Sequence, residues 1–469
     1  MAKQIIKTPE AALPRHKTPP GPRGHFLLGS APEMQHDAPG FLLELNHQYG
    51  DITRIRFAFW PTYIVNHPDD IKHILQENHK NYNNKDFYLY QMLRPLFGMG
   101  LLTNDGQSWL HQRRLIQPAF HRKRVAALGT QMTEATLAML NRWQDFAEHE
   151  GGGQPLDIAA EMYQLTLCIV GKTLFNIDLR DGASDFEQAF LRVNRLYAEY
   201  FYAPFPPLNV PIPRNRRLQA AIRSLNEVVD TIINERRRQN RDKGDLLSML
   251  LMARDEETGQ GMNEQQVHDE VMTMLMAGHE TVATSLTWTL YLLSQHPDVE
   301  QRFHVELDEV LGGNMPTVEH IAKLSYTQMV FEEALRLYPP AWLFGRKAIA
   351  DDEIRGYHIP ANSMIFISPY CTHHHPAFWE SPEVFDPERF SPERSVNRPS
   401  FAYFPFAGGP RLCIGNIFAM MEAKLVLATI AQRYRLRLLP GHPVEYEAML
   451  NLRPRHGMLM TLQHKSSTP

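Results

Sequence analysis

Asn263 followed by Gln266 has the form of a capping box, and the apolar-periodic pattern it opens meets no proline until Pro297. The helix so defined, Asn263 to about His296, has about thirty residues and a length of about 50 Å at 1.5 Å per residue. A rod that long crosses a whole domain, so the rest of the chain has to be arranged around it. Near its middle lies Ala277-Gly278-His279-Glu280-Thr281. Glycine costs about 1 kcal/mol in a helix interior. Gly278 therefore needs a physical reason, either the close approach of a flat ligand or tight packing against another helix.

A second stretch, Phe404-Pro405-Phe406-Ala407-Gly408-Gly409-Pro410-Arg411-Leu412-Cys413-Ile414-Gly415-Asn416, directly precedes the apolar helical pattern Ile417 to Ile430. Its glycines allow positive backbone dihedrals that bring N–H groups toward the sulfur, and the positive end of the following helix favours a thiolate. Arg411 offers an anion contact two residues away. Cys413 is either a small buried hydrophobe or a thiolate aimed at an electrophile or a metal.

With 469 residues, 43% of them hydrophobic, the chain can bury a large core, and length alone permits two or three domains. A formal net charge of −4 provides no basic field for nucleic acid. Three cysteines, Cys168, Cys371 and Cys413, make no disulfide framework and suit a reducing cytosol, with Cys168 filling an apolar helix face. Met1 to Lys17 holds no apolar run longer than Ile5-Ile6, and no later stretch reaches the roughly 18 apolar residues of a membrane span. A cytoplasmic protein without signal peptide or transmembrane anchor is expected.

Pro14 to Pro32 reads as an extended, proline-rich lead-in, so the expected organisation is a lead-in over 1–24 and one domain over 25–469. Phe41 to Tyr49 has helical spacing, and Ile52 to Phe57 with Thr62 to Val65 reads as a β-hairpin after a Trp-Pro turn. Phe87 to Leu102, broken by Pro95, Gly98 and Gly100, reads as an apolar loop that packs over the core or lines a cavity. The next helix, after Asn104-Asp105-Gly106, puts Trp109 and Arg113 on one face. Helices continue over Arg124 to His149, Asp157 to Leu174, Ser184 to about Tyr200, and Arg214 to Asn240. A further one, Ser325 to Tyr338, pairs Glu333 with Arg336, before short strands Arg346 to Ala350 and Met364 to Ser368. The run His373-His374-His375 invites a metal reading, but adjacent side chains do not all converge on one ion.

The spacing Phe-x-x-Gly-x-Arg-x-Cys-x-Gly, Phe406 to Gly415, resembles the haem-binding loop of the cytochrome P450 family of haem-thiolate monooxygenases. Trp109-x-x-x-Arg113, Ala277-Gly278-x-Glu280-Thr281, Glu333-x-x-Arg336 and Pro387-Glu388-Arg389-Phe390 stand in the order seen in that family, from about Pro19 to Leu462. The resemblance implies a mainly α fold with a small β-rich region and one haem b between the long helix and the Cys loop. It makes Cys413 the metal ligand, with Ala277, Gly278, Phe406, Gly409 and Gly415 against the cofactor and Trp109, Arg113, Arg346 and Arg411 toward its propionates. Glu280 and Thr281 resemble the acid–alcohol pair that handles protons, the Thr hydroxyl interrupting the helix hydrogen bonds at Gly278. Glu333, Arg336 and Arg389 resemble a structural ion network.

The resemblance further implies an oxygenase that inserts one atom of O2 into an apolar small molecule by hydroxylation or epoxidation, fed by NAD(P)H through a separate ferredoxin or flavodoxin and its reductase. Candidate substrate-lining stretches are Phe87 to Leu102, Phe201 to Pro213, Met274 to Ala277, Ala341 to Phe344 and Ala448 to Leu450, while Arg94 is expected at the surface. His121-Arg122-Lys123-Arg124 and Lys424 are expected to meet an acidic redox partner. The rival readings are a peroxide-driven peroxygenase, a haem sensor or carrier, and a cysteine hydrolase using Cys413.

Overall fold

The computed structural model describes residues 17–465 except 58–59, 148–153, 180–182, 203–205, 240, 253 and 255–258. The long helix is there as Glu264–Gln295, opened by the Asn263–Gln266 capping box. It packs along Ile158–Phe175 and also meets Ser325–Leu337, Asn416–Ala431 and Pro213–Gln239. Its side chains are buried on nearly every face, Trp288 among them, with the indole stacked on Tyr338 at 4.0 Å and its N–H donated to Leu452 O at 2.9 Å. Ala277 interrupts that burial at mid-helix, and there the fold opens a cavity.

The β structure is minor and tied to the chain's far ends. Ile52–Phe57 pairs antiparallel with Trp60–Val65, which pairs parallel with Met364–Ile367, itself antiparallel to Phe344–Lys347. Pro61 therefore belongs to a strand, opposite Arg56, rather than to a turn. The hairpin Asp352–Ile354 with Tyr357–Ile359 lies between the two expected later strands. Leu156–Asp157, Leu459–His464 and Tyr434–Leu438 make a three-stranded sheet.

Residues 17–24 form neither helix nor strand and are held by Arg54 N–H on Pro20 O at 2.8 Å and His358 N–H on Lys17 O at 3.0 Å. Residues 1–16, the rest of that lead-in, lie outside the described residues, as does the glycine run 151–153. The first helix starts earlier than its periodicity suggests, Ala31–Tyr49, with a kink at Asp37.

Two further expectations are corrected. The segment read as a loop holds a helix, Tyr88–Phe97, with Pro95 inside it. Proline there removes one hydrogen bond, while Tyr90, Met92, Leu93, Leu96 and Phe97 all reach the core. The single helix expected over Arg124 to His149 is two, Arg122–Ala127 and Gly129–Ala147, joined at Leu128.

Candidate active site

The cavity at Ala277 has a volume of about 340 Å³. The long helix forms one wall with Thr273, Met274, Ala277, Gly278, Thr281, Val282 and Ser285. The Cys loop forms another with Phe406, Arg411, Cys413 and Gly415, and Trp109 and Arg113 reach in from Gly106–Ile116. Arg346 and Phe344 come from the edge strand Phe344–Lys347.

The Cys loop is tightly specified. Cys413 donates its N–H to Phe406 O at 3.0 Å, and Ala407 donates to Phe404 O at 2.9 Å. Gly409 has φ +64°, and a Cβ there would stand 1.8 Å from Leu75 O, so only glycine fits. Gly409 accordingly shapes the loop from behind and does not line the cavity, whereas a Cβ at Gly415 would lie 4.0 Å from Cys413 Sγ. Cys413 is accessible although protein surrounds it, because its exposed surface belongs to the cavity wall. Burial raises its pKa, opposed by the Gly415 N–H and the Arg113 charge. Loop and helix end alone thus leave a thiol; a metal cation is what would hold the sulfur as thiolate.

Cations crowd one side. Arg411 lies over the Trp109 ring at 3.8 Å and donates to Asn83 Oδ1 at 2.9 Å and Asn104 O at 2.8 Å. Arg346 donates to Gly345 O at 2.8 Å. Lys85, not foreseen from sequence, is buried on the cavity wall with Nζ on Leu102 O at 2.6 Å and over the Tyr90 ring at 4.5 Å. Its polar surroundings, Asn83-Asn84-Lys85-Asp86, read as ordinary loop. Burial lowers all of them, and repulsion adds to it: Lys85 falls far below a normal lysine, also pushed by Arg411 and Arg346, and Arg411 is brought down to about 9. Arg346 and Arg113 are lowered by burial as well. The one carboxylate that opposes, by attraction on Lys85 and Arg411, is Asp105. Desolvated cations around a void are what a ligand carrying carboxylates would stabilise.

On the long helix, Thr281 donates its hydroxyl to Ala277 O at 2.7 Å, and the helix runs unbroken through Gly278. The expected interruption at Gly278 is therefore absent. Of the two readings of that glycine, packing is explicit: a Cβ there would meet Val170 Cγ2 at 3.1 Å. Glu280 does not line the cavity. It turns to Asn194, whose amide donates at 2.5 Å, and to Asn451. Burial pushes its pKa up to about 7 against the pull of Arg453 and the two amides.

Behind the loop, Glu333 is fully buried and bidentate with Arg336, both contacts 2.7 Å, with Arg389 Nε at 3.3 Å and the Asp386 N–H at 3.0 Å. Arg336 also donates to His373 O at 2.9 Å and Pro382 O at 2.7 Å. His373 Nε2 accepts the Phe404 N–H at 3.0 Å, so this histidine links the ion network to the first residue of the Cys loop. Its neighbours diverge, His374 to Tyr370 O and His375 to Asp51, which removes the metal reading of that run.

Other expectations shift. Lys424 is buried, with Nζ on Ile321 O and Gln328 Oε1 at 3.1 Å each, so it is no docking residue. Arg94 pairs with Asp86 at 2.9 Å. The 448–450 stretch and the described residues of 206–213 do not line the cavity, while Phe120, Leu174, Phe331 and Leu335 do.

The cavity between one long helix and a glycine-bounded cysteine loop matches the arrangement that the sequence resemblance implies, and the comparisons show the family. The sequence model described as Cytochrome P450 matches residues 19–461. Cyclooctatin synthase of Streptomyces melanosporofaciens is 38% identical, covering 95% of this chain and 94% of that one. Cyclooctat-9-en-7-ol 5-monooxygenase of the same organism is 37% identical over 88% of each, and pentalenene oxygenase of Streptomyces avermitilis is 34% identical over 94% and 96%. The crystal structure of the cytochrome P450DA heme domain superposes with a TM-score of 0.86 at 28% identity, covering 96% of this chain and 98% of that one. The chain belongs to the cytochrome P450 family and has its mainly helical fold; it is a monooxygenase of that family.

Glu333→Gln removes the charge that neutralises Arg336 and Arg389. About 3–5 kcal/mol of stability should be lost, seen as a lower thermal midpoint and poor recovery of folded protein.

Proposed function

We propose that this monooxygenase carries haem b on Cys413 and hydroxylates or epoxidises an apolar terpene-like substrate. The overall balance for hydroxylation is RH + O2 + 2 e⁻ + 2 H⁺ giving ROH and H2O, with electrons from NAD(P)H through a separate ferredoxin or flavodoxin and its reductase. One observation carries the reading: Cys413 opens into a largely apolar cavity beside a set of buried, under-neutralised cations. The residues fit the group. A thiolate suits iron, and Lys85, Arg113, Arg346, Arg411 and the Trp109 N–H suit two propionates. Ala277 and Gly278 provide a flat opposite wall, Phe406 and Gly415 line the sulfur side, and Gly409 shapes the loop. Bound there, the haem would supply dioxygen activation. The terpene preference is supported by relatives named for pentalenene and cyclooctat-9-en-7-ol. We take 25–469 as one haem domain following a short lead-in. A cytoplasmic setting is supported by a sequence with only three cysteines, which makes no disulfide framework; no described helix is long and apolar enough to cross a membrane.

The chain's own residues then handle protons and access. Thr281 keeps a hydroxyl on the cavity wall through its bond to Ala277 O. Glu280, one residue earlier and held by two amides, exchanges a proton near neutral pH and feeds that hydroxyl when it turns inward. Leu101, Leu102, Leu174, Phe331 and Phe344 exclude bulk water and accept apolar carbon. Arg122 and Lys123 are exposed, as is Ile417 at 43% on the neighbouring helix, a basic surface for an acidic partner.

The direct test is the ferrous carbonyl spectrum, which should carry the thiolate signature in wild type and lose it in Cys413→Ala. An unchanged spectrum would sink the proposal. Glu280 is neutral below about pH 7 and charged above it, so if it gives up the proton, product formed per NADH should fall as pH rises through about 7. Glu280→Gln should lower turnover about 10²-fold and abolish that limb of the profile. Lys85→Met should raise the thermal midpoint of apoprotein, by relieving repulsion, yet speed haem loss to a scavenging globin. Charge reversal at Arg122 and Lys123 should slow reduction by ferredoxin at low salt while leaving substrate titrations unchanged.

A further inference from the structure

The long helix runs on beyond the catalytic cavity. Its last turns, the end of Ser325–Leu337, the short helix Pro369–His373 and the strand Tyr446–Ala448 border a second cavity of about 340 Å³. It shares no lining residue with the first. Tyr291, Tyr338, Tyr370 and Tyr446 line this cleft with His374 and Glu383, and among the described residues neither lysine nor arginine does.

The rings are held by the fold itself. Tyr338 lies flat against the buried Trp288 indole at 4.0 Å, and Tyr291 meets the same indole edge-on at 5.9 Å. Tyr370 packs on the His374 ring at 4.4 Å and against Tyr446 at 5.9 Å, while the Tyr446 hydroxyl is donated to Asp37 Oδ1 at 3.1 Å. The backbone that carries the acid is fixed as well. Arg336 takes the carbonyls of Pro382 at 2.7 Å and Val384 at 3.2 Å, the residues on either side of Glu383. Walls set in advance keep the ordering cost of association low.

Charge in the cleft has one sign. His374 donates Nδ1–H to Tyr370 O at 2.8 Å, and burial brings its pKa down to about 4, so at neutral pH its Nε2 is an acceptor. That nitrogen stands 3.9 Å from Glu383 Oε2, acceptor facing acceptor. Burial, then Tyr291 and Glu383, push Tyr338 up to about 12, and burial with Asp37 does the same to Tyr446. The phenols stay neutral in a negative field. His296, the remaining histidine of the wall, bonds Leu292 O through Nδ1 at 2.8 Å. An anion is repelled here, whereas an ammonium ion gains tyrosine faces, the Glu383 charge and two acceptors for its N–H groups.

We propose that this cleft is a second binding site, separate from the catalytic cavity, and that it takes a small organic ammonium ion, a cationic nitrogen on an apolar or aromatic body. The inference is independent of the substrate assigned to the catalytic cavity. It needs only the aromatic walls, Glu383 and the absence of a competing cation among the described lining residues.

The test is calorimetry on haem-loaded protein with benzyltrimethylammonium, a cation that has no lone pair for iron, and with benzyl alcohol as the neutral probe. The cation should bind saturably without shifting the haem absorption band. Glu383→Gln should weaken it about threefold and flatten its salt dependence. Tyr291→Leu, which removes a ring face, should weaken it about threefold as well, while Tyr291→Phe, which keeps the ring, should not. The double variant Glu383→Gln with Tyr291→Leu then loses about tenfold for the cation, with benzyl alcohol binding unchanged and the ferrous carbonyl spectrum intact. No saturable binding of the cation, binding that shifts the haem band, or equal affinity in wild type and the double variant overturns the site.

Discussion

Glu333 sits where no water reaches, clamped by Arg336 and approached by Arg389, and the placement of the reactive loop runs through it. The pair alone contributes little net stability, because desolvating three charges offsets most of their attraction. What it provides is position. Arg336 takes the carbonyls of His373, Pro382 and Val384, three points of an irregular segment with few ladder bonds of its own. His373 passes that constraint to Phe404, where the loop begins, and the loop's internal bonds carry it to Cys413.

Opposite this satisfied network stands an unsatisfied one. Lys85, Arg113, Arg346 and Arg411 come from four separate parts of the chain; Lys85, Arg346 and Arg411 bond carbonyls and an amide, and Asp105 offsets part of the charge on Lys85 and Arg411. One interior ion cluster is closed by a buried carboxylate, and the other is offset only in part by Asp105. The same contrast recurs on the long helix, where Glu280 is held by two amides and Glu270 keeps one oxygen free.

Features that depend on neighbours in sequence were legible. The capping box and the following proline bounded the long helix, and Glu333 with Arg336, three apart, had to share a face. Where a local rule met a tertiary gain, the rule lost. Pro95 argued for a loop, yet five buried apolar side chains outweigh one missing hydrogen bond in Tyr88–Phe97. Lys424 looked like a surface charge and is instead roofed by the carbonyl of Ile321 and the amide of Gln328. Lys85 gave no signal at all, because nothing near it in sequence marks a lysine for burial.

The amino-acid order by itself determined the fold family, the length and ends of the central helix, and the cysteine loop, since each is written in residues a few positions apart. Only the packed structure decided which cations face the cavity, that Gly278 is spent on Val170, that Glu280 turns toward Asn194 and Asn451, and that Thr273 is left without a partner. Those outcomes depend on which surfaces meet across hundreds of residues, and burial and charge are properties of that meeting rather than of any local pattern.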